Sequence, residues 1–528
     1  MEQTTDPSEN TKVAQAAGIV GAATMVSRVF GVVRDMVIAA FFGATWMTDA
    51  FWVAFRIPNM LRRLLGEGSL TVSFVPVFTE YLHKKTREEA LDLASNALSI
   101  LSVILALISV LGILLSPVIV GLIAPGFIAH PEQFELAVFL NRLMFPYIFF
   151  IALVALCMGI LNSFRHFIAP ALSPVMLNIA MIAATLGLRD FFAQPVMALA
   201  AGVLAGGVLQ LAMQWPALRK YGIRFRFRFS LRHPGIRQIG ALMLPAILGA
   251  GVGTINVFVG TILASLLPAG SVTYLFYADR IMEFPLGIFA IAIGTAALPS
   301  FSKHVAAGRT DELKSGISFS LRLMLFLTIP SMAALMALNA PIISVLFQRG
   351  AFDADAAVKT GQALFCYALG LWAYAMLRVF VSAFYSLKDS KWPTKAAVIA
   401  LIVNVVFSLI LMSPLKHNGI ALAGSLSAAA NVLILAWVLK TKIGGYLDRP
   451  FFLSIFKIIA ASVIMLGGIF LVQTAMPWNP LAGFRSRLLF LVLAIATGGL
   501  VFLASAWWLK SPEMKALAFA LKKRLGRP

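Results

Sequence analysis

Of 528 residues, 60% are hydrophobic and only 12% charged, more apolar side chain than a soluble chain of this length can bury, which excludes a soluble enzyme or binding domain. The 43 Lys and Arg against 22 Asp and Glu leave a formal charge of +21, yet the cations come in short clusters between apolar runs, the pattern of cytoplasmic loops rather than of a nucleic-acid surface. Cys157 and Cys366 sit far apart inside apolar runs, so neither a disulfide nor a metal site is expected.

Apolar runs of about 20 residues bounded by charge, Pro or Gly predict an all-α polytopic membrane protein. Fourteen helices are expected, near 15–41, 46–82, 91–123, 134–162, 168–189, 194–218, 238–266, 270–302, 315–338, 355–387, 394–413, 418–440, 451–475 and 486–509. The second and eighth exceed one span and are expected to bend, at Gly66 and Gly68 and near Pro285. The polar stretch 1–14 precedes a first helix with no small-residue cleavage site, which reads as retained rather than as a signal peptide.

The first two helices carry charge where lipid tolerates little. On a helix of 3.6 residues per turn Arg28 and Asp35 share one line and Ser27 and Arg34 the next; in the second helix Asp49, Arg56 and Arg63 recur every seven residues, Glu67 returns to the same line, and Asn59 and Arg62 lie beside it. A charge at the centre of a membrane helix costs about 2.5–3.5 kcal/mol on insertion scales, so these must face water, each other or a charged ligand. Two readings stay open. Asp35, Asp49, Glu67, Asp279 and Glu283 could neutralise the arginines in structural pairs, or Arg28, Arg34, Arg62, Arg63 and Arg280 could hold an anion, for which the planar guanidinium fork suits phosphate. For Arg56 the seven-residue relation to Asp49 favours the structural role.

The chain repeats itself when slid by about 224 residues. Arg56 falls on Arg280, Gly126 of LIAPGF on Gly350 of LFQRGAF, and Pro76 within one residue of Pro299; Asn178 and Asn404 match with two residues inserted. The offset spans six expected helices, so the halves are parallel repeats: a first lobe at 15–218, a second at 238–440, and an appended helix pair at 451–509. Basic loops at 83–89, 219–237, 303–314, 388–395 and 440–449 alternate with loops nearly free of Lys and Arg, Arg189, Arg349, Lys416 and Arg485 being the exceptions, which sets both termini in the cytoplasm. The linker 219–237 alternates Arg with Phe and suits the headgroup zone, and 511–528, with Pro512 at its start and Met514, Leu517, Leu521 and Leu525 on one face, reads as a basic interfacial helix.

No phosphate-loop, metalloprotease or serine-hydrolase motif is present, and the GEGS at Gly66–Ser69 lacks a Lys and follows a helix, so a hinge is the better reading and no enzyme or cofactor is expected. The segments SRVFGVVRD, TDAFWVAFRIPNMLRRLLGEG, FVPVF, YADRIMEFPLGIFAIAIGTAALPSFSK and LFQRGAF, in this order and spacing, resemble the MurJ (MviN) family of lipid II flippases. The resemblance implies a fold of the multidrug/oligosaccharidyl-lipid/polysaccharide exporter superfamily, two six-helix lobes around a central cavity with helices 13 and 14 forming a groove for a lipid tail. It implies Arg28, Arg34, Arg62 and Arg280 as cavity cations handling the pyrophosphate of lipid II, with Asp49 sensitive as well and Arg56 less so. It also implies residence in the bacterial inner membrane, with lipid II, membrane lipids and candidate cell-wall synthesis proteins as partners. Two other functions fit the architecture: export of another oligosaccharide-lipid or drug by cation antiport, for which an acidic cavity would be expected, and a non-transporting scaffold for cell-wall enzymes.

Overall fold

The computed structural model describes residues 7–62, 70–223 and 226–515. The expected site and hinge residues Arg63, Gly66, Glu67 and Gly68 lie outside the described residues. Among the described residues the regular secondary structure is helical apart from an isolated bridge between Arg349 and Phe352. Among the described residues ten helical stretches are long and apolar enough to cross a membrane, against the fourteen expected, and several expected spans are broken into shorter pieces.

Contacts divide the chain into two units, Met1–Gly270 and Ser271–Pro528. The first contains α1 (Pro7–Phe42), α2 (Trp46–Leu61), α3 (Thr71–Lys84), α4 (Arg87–Leu114), α5 (Ser116–Ile123), α6 (Pro131–Met144), α7 (Tyr147–Ser163), α8 (Ile168–Leu188), α9 (Met197–Lys220) and α10 (Pro234–Ser265). The second contains α11 (Ser271–Pro285), α12 (Ile291–Ala306), α13 (Thr310–Ala337), α14 (Asn339–Phe347), α15 (Ala354–Ala368), α16 (Leu371–Ser386), α17 (Lys391–Leu415), α18 (His417–Ile443), α19 (Arg449–Ala475) and α20 (Phe484–Trp508). Helix α1 begins at Pro7, well before the expected start at 15, because Pro at a first helical position is followed by helix-tolerant Glu, Lys, Ala and Gln.

The repeat is legible element by element. Helices α4 and α13, α6 and α15, and α8 and α17 each start 223 residues apart, and the short α5 recurs as α14. Gly126 and Gly350 coincide in the repeat but are glycines for different reasons. A Cβ on Gly126 would lie 2.0 Å from the Ser265 carbonyl oxygen, whereas Gly350 has φ +56°, a left-handed conformation that costs other residues strain. The division at Gly270 falls one helix later than the expected lobe boundary, since α10, the counterpart of α1, packs on α3 and α4.

Local chemistry sets the helix ends. Thr86 and Glu89 form a capping box at α4, with Glu89 N–H donating to Thr86 Oγ1 at 3.2 Å and Thr86 N–H to Glu89 Oε2 at 2.9 Å. Helices α7, α16 and α20 end in the same two-bond turn, with a cation at the left-handed position where glycine is usual: Arg165, Lys388 and Lys510, all at φ between 53° and 59°. A positive charge near a helix C-terminus is favoured by the helix dipole, which offsets part of the backbone strain. The described part of the basic linker runs along α4: Asn96 exchanges hydrogen bonds with the backbone of Ser230 and Ser99 with that of Arg226 and Arg228, while Arg228 pairs with Asp92. Each unit has its own apolar core, around Phe74, Phe78 and Ile148 in the first and Phe301, Phe326 and Phe380 in the second. Outside those cores Leu107, Leu114, Leu122, Phe456, Phe470 and Leu500 stay between 60% and 70% exposed, an apolar exterior suited to lipid. Two cations that break the loop-charge pattern lie over aromatic rings, Arg189 4.1 Å from Phe41 and Arg349 5.3 Å from Phe484.

Candidate functional site

Helix α1 packs along α8, and that contact decides what its polar side does. Arg34 is 4% exposed and Asp35 1%. The Arg34 Nε and Nη2 both donate to Asp35 Oδ1, at 2.9 and 2.6 Å, and Nη1 donates to Asn178 Oδ1 of α8 at 3.1 Å. Asn178 Nδ2 in turn donates to the Ser27 carbonyl at 3.3 Å, so one amide ties the neighbouring Ser27–Arg34 line to the opposite helix. A buried pair of this kind is expensive to desolvate and is held only when further hydrogen bonds satisfy it, which is the part Asn178 plays. The sequence reading offered Asp35 as a partner for Arg28, two turns back; in the structure Arg34 also holds that carboxylate. Arg28 is half-buried one turn and a half closer to the start of α1.

In α2 the seven-residue line faces α10 and the loop that follows it. Thr45 caps the helix, accepting from Thr48 N–H at 3.4 Å, and places Asp49 in the first turn, where the helix dipole favours a carboxylate. Asp49 is 2% exposed and its Oδ2 accepts the Gly270 N–H at 2.6 Å. Two turns on, Arg56 donates to Thr261 Oγ1 of α10. Seven residues of helix set the two Cα atoms about 10 Å apart along the axis, and each side chain reaches α10 or the loop that follows it. Arg62 closes the described part of α2, half-buried, with Nε donating to Asn59 Oδ1 at 3.1 Å. A cavity of about 390 Å³ opens beside Asp49, with His130, Glu132 and Gln133 on its wall.

In the second unit α11 is anchored by the buried Tyr277, whose ring lies 4.6 Å from Phe347 and 5.7 Å from Phe352. One turn later Arg280 Nη1 is 3.7 Å from Glu283 Oε2, with the two side chains 40% and 46% exposed; Asp279 is half-buried beside it. Directly after Pro285 the backbone passes into a π-helical turn, Leu286–Ala290, before α12 resumes. Proline cannot supply its own N–H, and π turns cluster where helices are interrupted for function.

Within the first unit the structure brings Arg34 to Asp35, Asp49 to Gly270 and Arg56 to Thr261, and within the second it brings Arg280 to Glu283. Sequence reasoning missed Thr261 and Gly270 and gave Asn178 no role beyond its imperfect repeat match to Asn404. A buried Asn at corresponding positions of two repeats, in otherwise apolar helices, was the available signal; Asn404 is likewise buried, accepting from Ser408 Oγ at 3.0 Å. Thr261 and Gly270 carry no such signal, since a Thr in an apolar helix and a loop Gly are ordinary. Among the described residues no three His, Cys, Asp or Glu side chains converge as a metal site would require.

Comparison with known proteins adds a second line of observation. The family described as lipid II flippase MurJ matches residues 38–493. A protein named probable lipid II flippase MurJ from Buchnera aphidicola subsp. Acyrthosiphon pisum is 36% identical over 481 residues, 91% of this chain and 94% of that one. The lipid II flippase MurJ of Burkholderia cenocepacia is 36% identical over 84% of this chain and 87% of its own. A solved structure titled lipid II flippase MurJ, inward closed conformation, superposes with a TM-score of 0.77 at 29% identity, covering 92% of this chain and 97% of that one. An inward-facing MATE family multidrug transporter of the MOP superfamily shares the fold, with a TM-score of 0.67 at 15% identity over 81% of this chain and 98% of its own.

Proposed function

The chain belongs to the lipid II flippase MurJ family, a family of multi-pass membrane transporters, and from that premise we propose that it carries lipid II from the inner to the outer leaflet of the cytoplasmic membrane. It does so without a catalytic step, its termini in the cytoplasm as the basic loops require. The observation that carries the reading at residue level is the contrast between Arg280 and Arg34. An exposed i,i+3 pair such as Arg280–Glu283, at 3.7 Å, contributes a few tenths of a kcal/mol at most once solvent screening is allowed for, so Glu283 by itself does not commit the Arg280 guanidinium. Arg34 is committed to Asp35 and Asn178 and positions α1 instead. We assign Arg28, Arg62 and Arg280 to the pyrophosphate, since the arginine fork binds it bidentately and keeps its charge when partly desolvated.

Moving such a headgroup requires each side to open in turn, by rocking of the two repeats. The π turn after Pro285 is the bending point on α11–α12, and the Asp49–Gly270 hydrogen bond is a contact that can be made and broken as the start of α2 moves. The membrane potential or a coupled ion supplies the energy; one charge crossing 100 mV is worth about 2.3 kcal/mol. Cell-wall synthesis proteins would meet it at the basic loops.

The test is complementation of a strain depleted of its own flippase, together with a leaflet-resolved lipid II assay. Arg280→Ala abolishes transport, Arg280→Lys keeps part of it, and Arg280→Ala with Glu283→Ala stays inactive. Full activity in that double variant would mean that Arg280 only balanced Glu283, and the anion assignment would fall.

A further inference from the structure

We propose that the shelf at the end of α20 binds the phosphodiester headgroup of an anionic phospholipid, and that burial of Glu513 is what leaves this shelf purely cationic. The inference needs the chain to span a membrane but does not depend on transport.

After Asp448 the sequence contains one acidic residue, Glu513, against Lys510, Lys515, Lys522, Lys523, Arg524 and Arg527 in the tail. On an exposed tail that carboxylate would neutralise a neighbouring lysine. Instead it is 1% exposed: Ser511 Oγ donates to its Oε2 at 2.7 Å, and Arg322 Nε of α13 stands 3.8 Å from Oε1. Glu513 is thus spent on docking the segment to the second unit, and Lys510 and Lys515 are left exposed with no carboxylate from their own segment. Lys457 of α19 reaches over to the Lys510 carbonyl at 3.3 Å and brings a third cation to the same edge.

The shelf has the shape and the lining of an interfacial site. Trp507, Trp508, Lys510, Ser511, Met514 and Lys515 line an open pocket of about 370 Å³. That is enough for a glycerophosphate group, and Trp507 and Trp508 are 65% and 76% exposed at the end of a membrane span, where amphipathic rings settle at headgroup depth. Lys510 occupies the left-handed turn position at φ +53°, which aims the chain back toward the α20 terminus and costs strain that a glycine would avoid. Cations for the phosphate, with indoles and Met514 for the glycerol and acyl region, favour a lipid over a free anion.

Native mass spectrometry of the purified full-length chain reads the lipids it retains. Phosphatidylglycerol is retained over phosphatidylcholine, and Lys510→Gln with Lys515→Gln, both at exposed positions, cuts that retention about 25-fold, roughly five-fold per lysine. Arg322→Met, which frees Glu513 to rejoin the lysines, cuts it about two- to five-fold. Equal retention of the two lipids, or wild-type retention in the double lysine variant, overturns the site; unchanged retention in Arg322→Met overturns the part given to Glu513. Release of the lipid by millimolar inorganic phosphate would make this a free-anion site and overturn the lipid assignment. A variant defective in lipid II transport but normal in retention leaves this proposal standing, so the two readings fail separately.

Discussion

Replacing Arg34 by Met isolates the buried pair of the first unit. The guanidinium makes three hydrogen bonds, two to Asp35 and one to Asn178, at 4% exposure. Its loss takes two hydrogen bonds from a carboxylate that is 1% exposed, and breaking one side of a buried pair costs about 3–5 kcal/mol. Removing Asp35 as well, with Asp35→Asn, leaves no unpaired charge, so the double variant should be less destabilised than the sum of the two singles by about 2–3 kcal/mol. Asn178→Ala deletes the bond from α8 to the charged group together with the bond to the Ser27 carbonyl, and should cost about 1.5–3 kcal/mol. Detergent-unfolding titrations of the four proteins, run beside the lipid II assay, measure all of these terms. Strict additivity, or an Arg34→Met protein within about 1 kcal/mol of wild type but dead in transport, would show that Arg34 meets the substrate directly and would refute its positioning role.

Topology can be read with single cysteines: Lys85→Cys and Thr310→Cys should be shielded from an impermeant thiol reagent in intact cells, and His130→Cys and Ala269→Cys should label, the reverse pattern inverting the direction of transport. Ala269 serves better than Gly270, whose φ of +91° and bond to Asp49 a side chain would disturb. Gly126→Ala should destabilise by about 1–3 kcal/mol because the Ser265 backbone cannot yield, whereas Gly350→Asn should be nearly neutral and Gly350→Ala cost about 1 kcal/mol; thermal unfolding distinguishes them. Asp389 is held below its ordinary carboxyl pKa of 3.8 first by the hydrogen bond from Lys442, 2.8 Å away, and then by the Trp392 and Lys391 N–H groups, against the opposing effect of burial. A depressed folded pKa stabilises above the unfolded value and loses that stabilisation as pH falls through the folded one, so wild type should gain acid sensitivity only below about pH 4. Asp389→Asn should lack that step, and an unchanged pH profile of unfolding would remove the pair from the account.

Composition, run length and loop charge were enough for an all-α membrane chain built from two repeats, because a bilayer admits few structures and each span must announce itself by hydropathy. The repeat was legible for the same reason: Arg56 and Arg280, or Gly126 and Gly350, are rare residue types in an apolar background, so a common offset stands out. Helical periodicity also put Arg34 and Asp35 on the polar side of α1. It could not say which arginine Asp35 would join, since that depends on desolvation by α8 and on Asn178, 144 residues away from Arg34. Asp49 and Arg56 likewise share one line in sequence, and the tertiary structure added Gly270 and Thr261 as partners, more than 200 residues away. Glu513 shows the limit most plainly: in sequence it is one acid softening a basic tail, and its burial against Arg322 of α13 removes its charge from the surface altogether. Sequence determines which face of an element is polar, but the energy of a charge depends on what covers it, and that is decided by contacts between residues far apart in the chain.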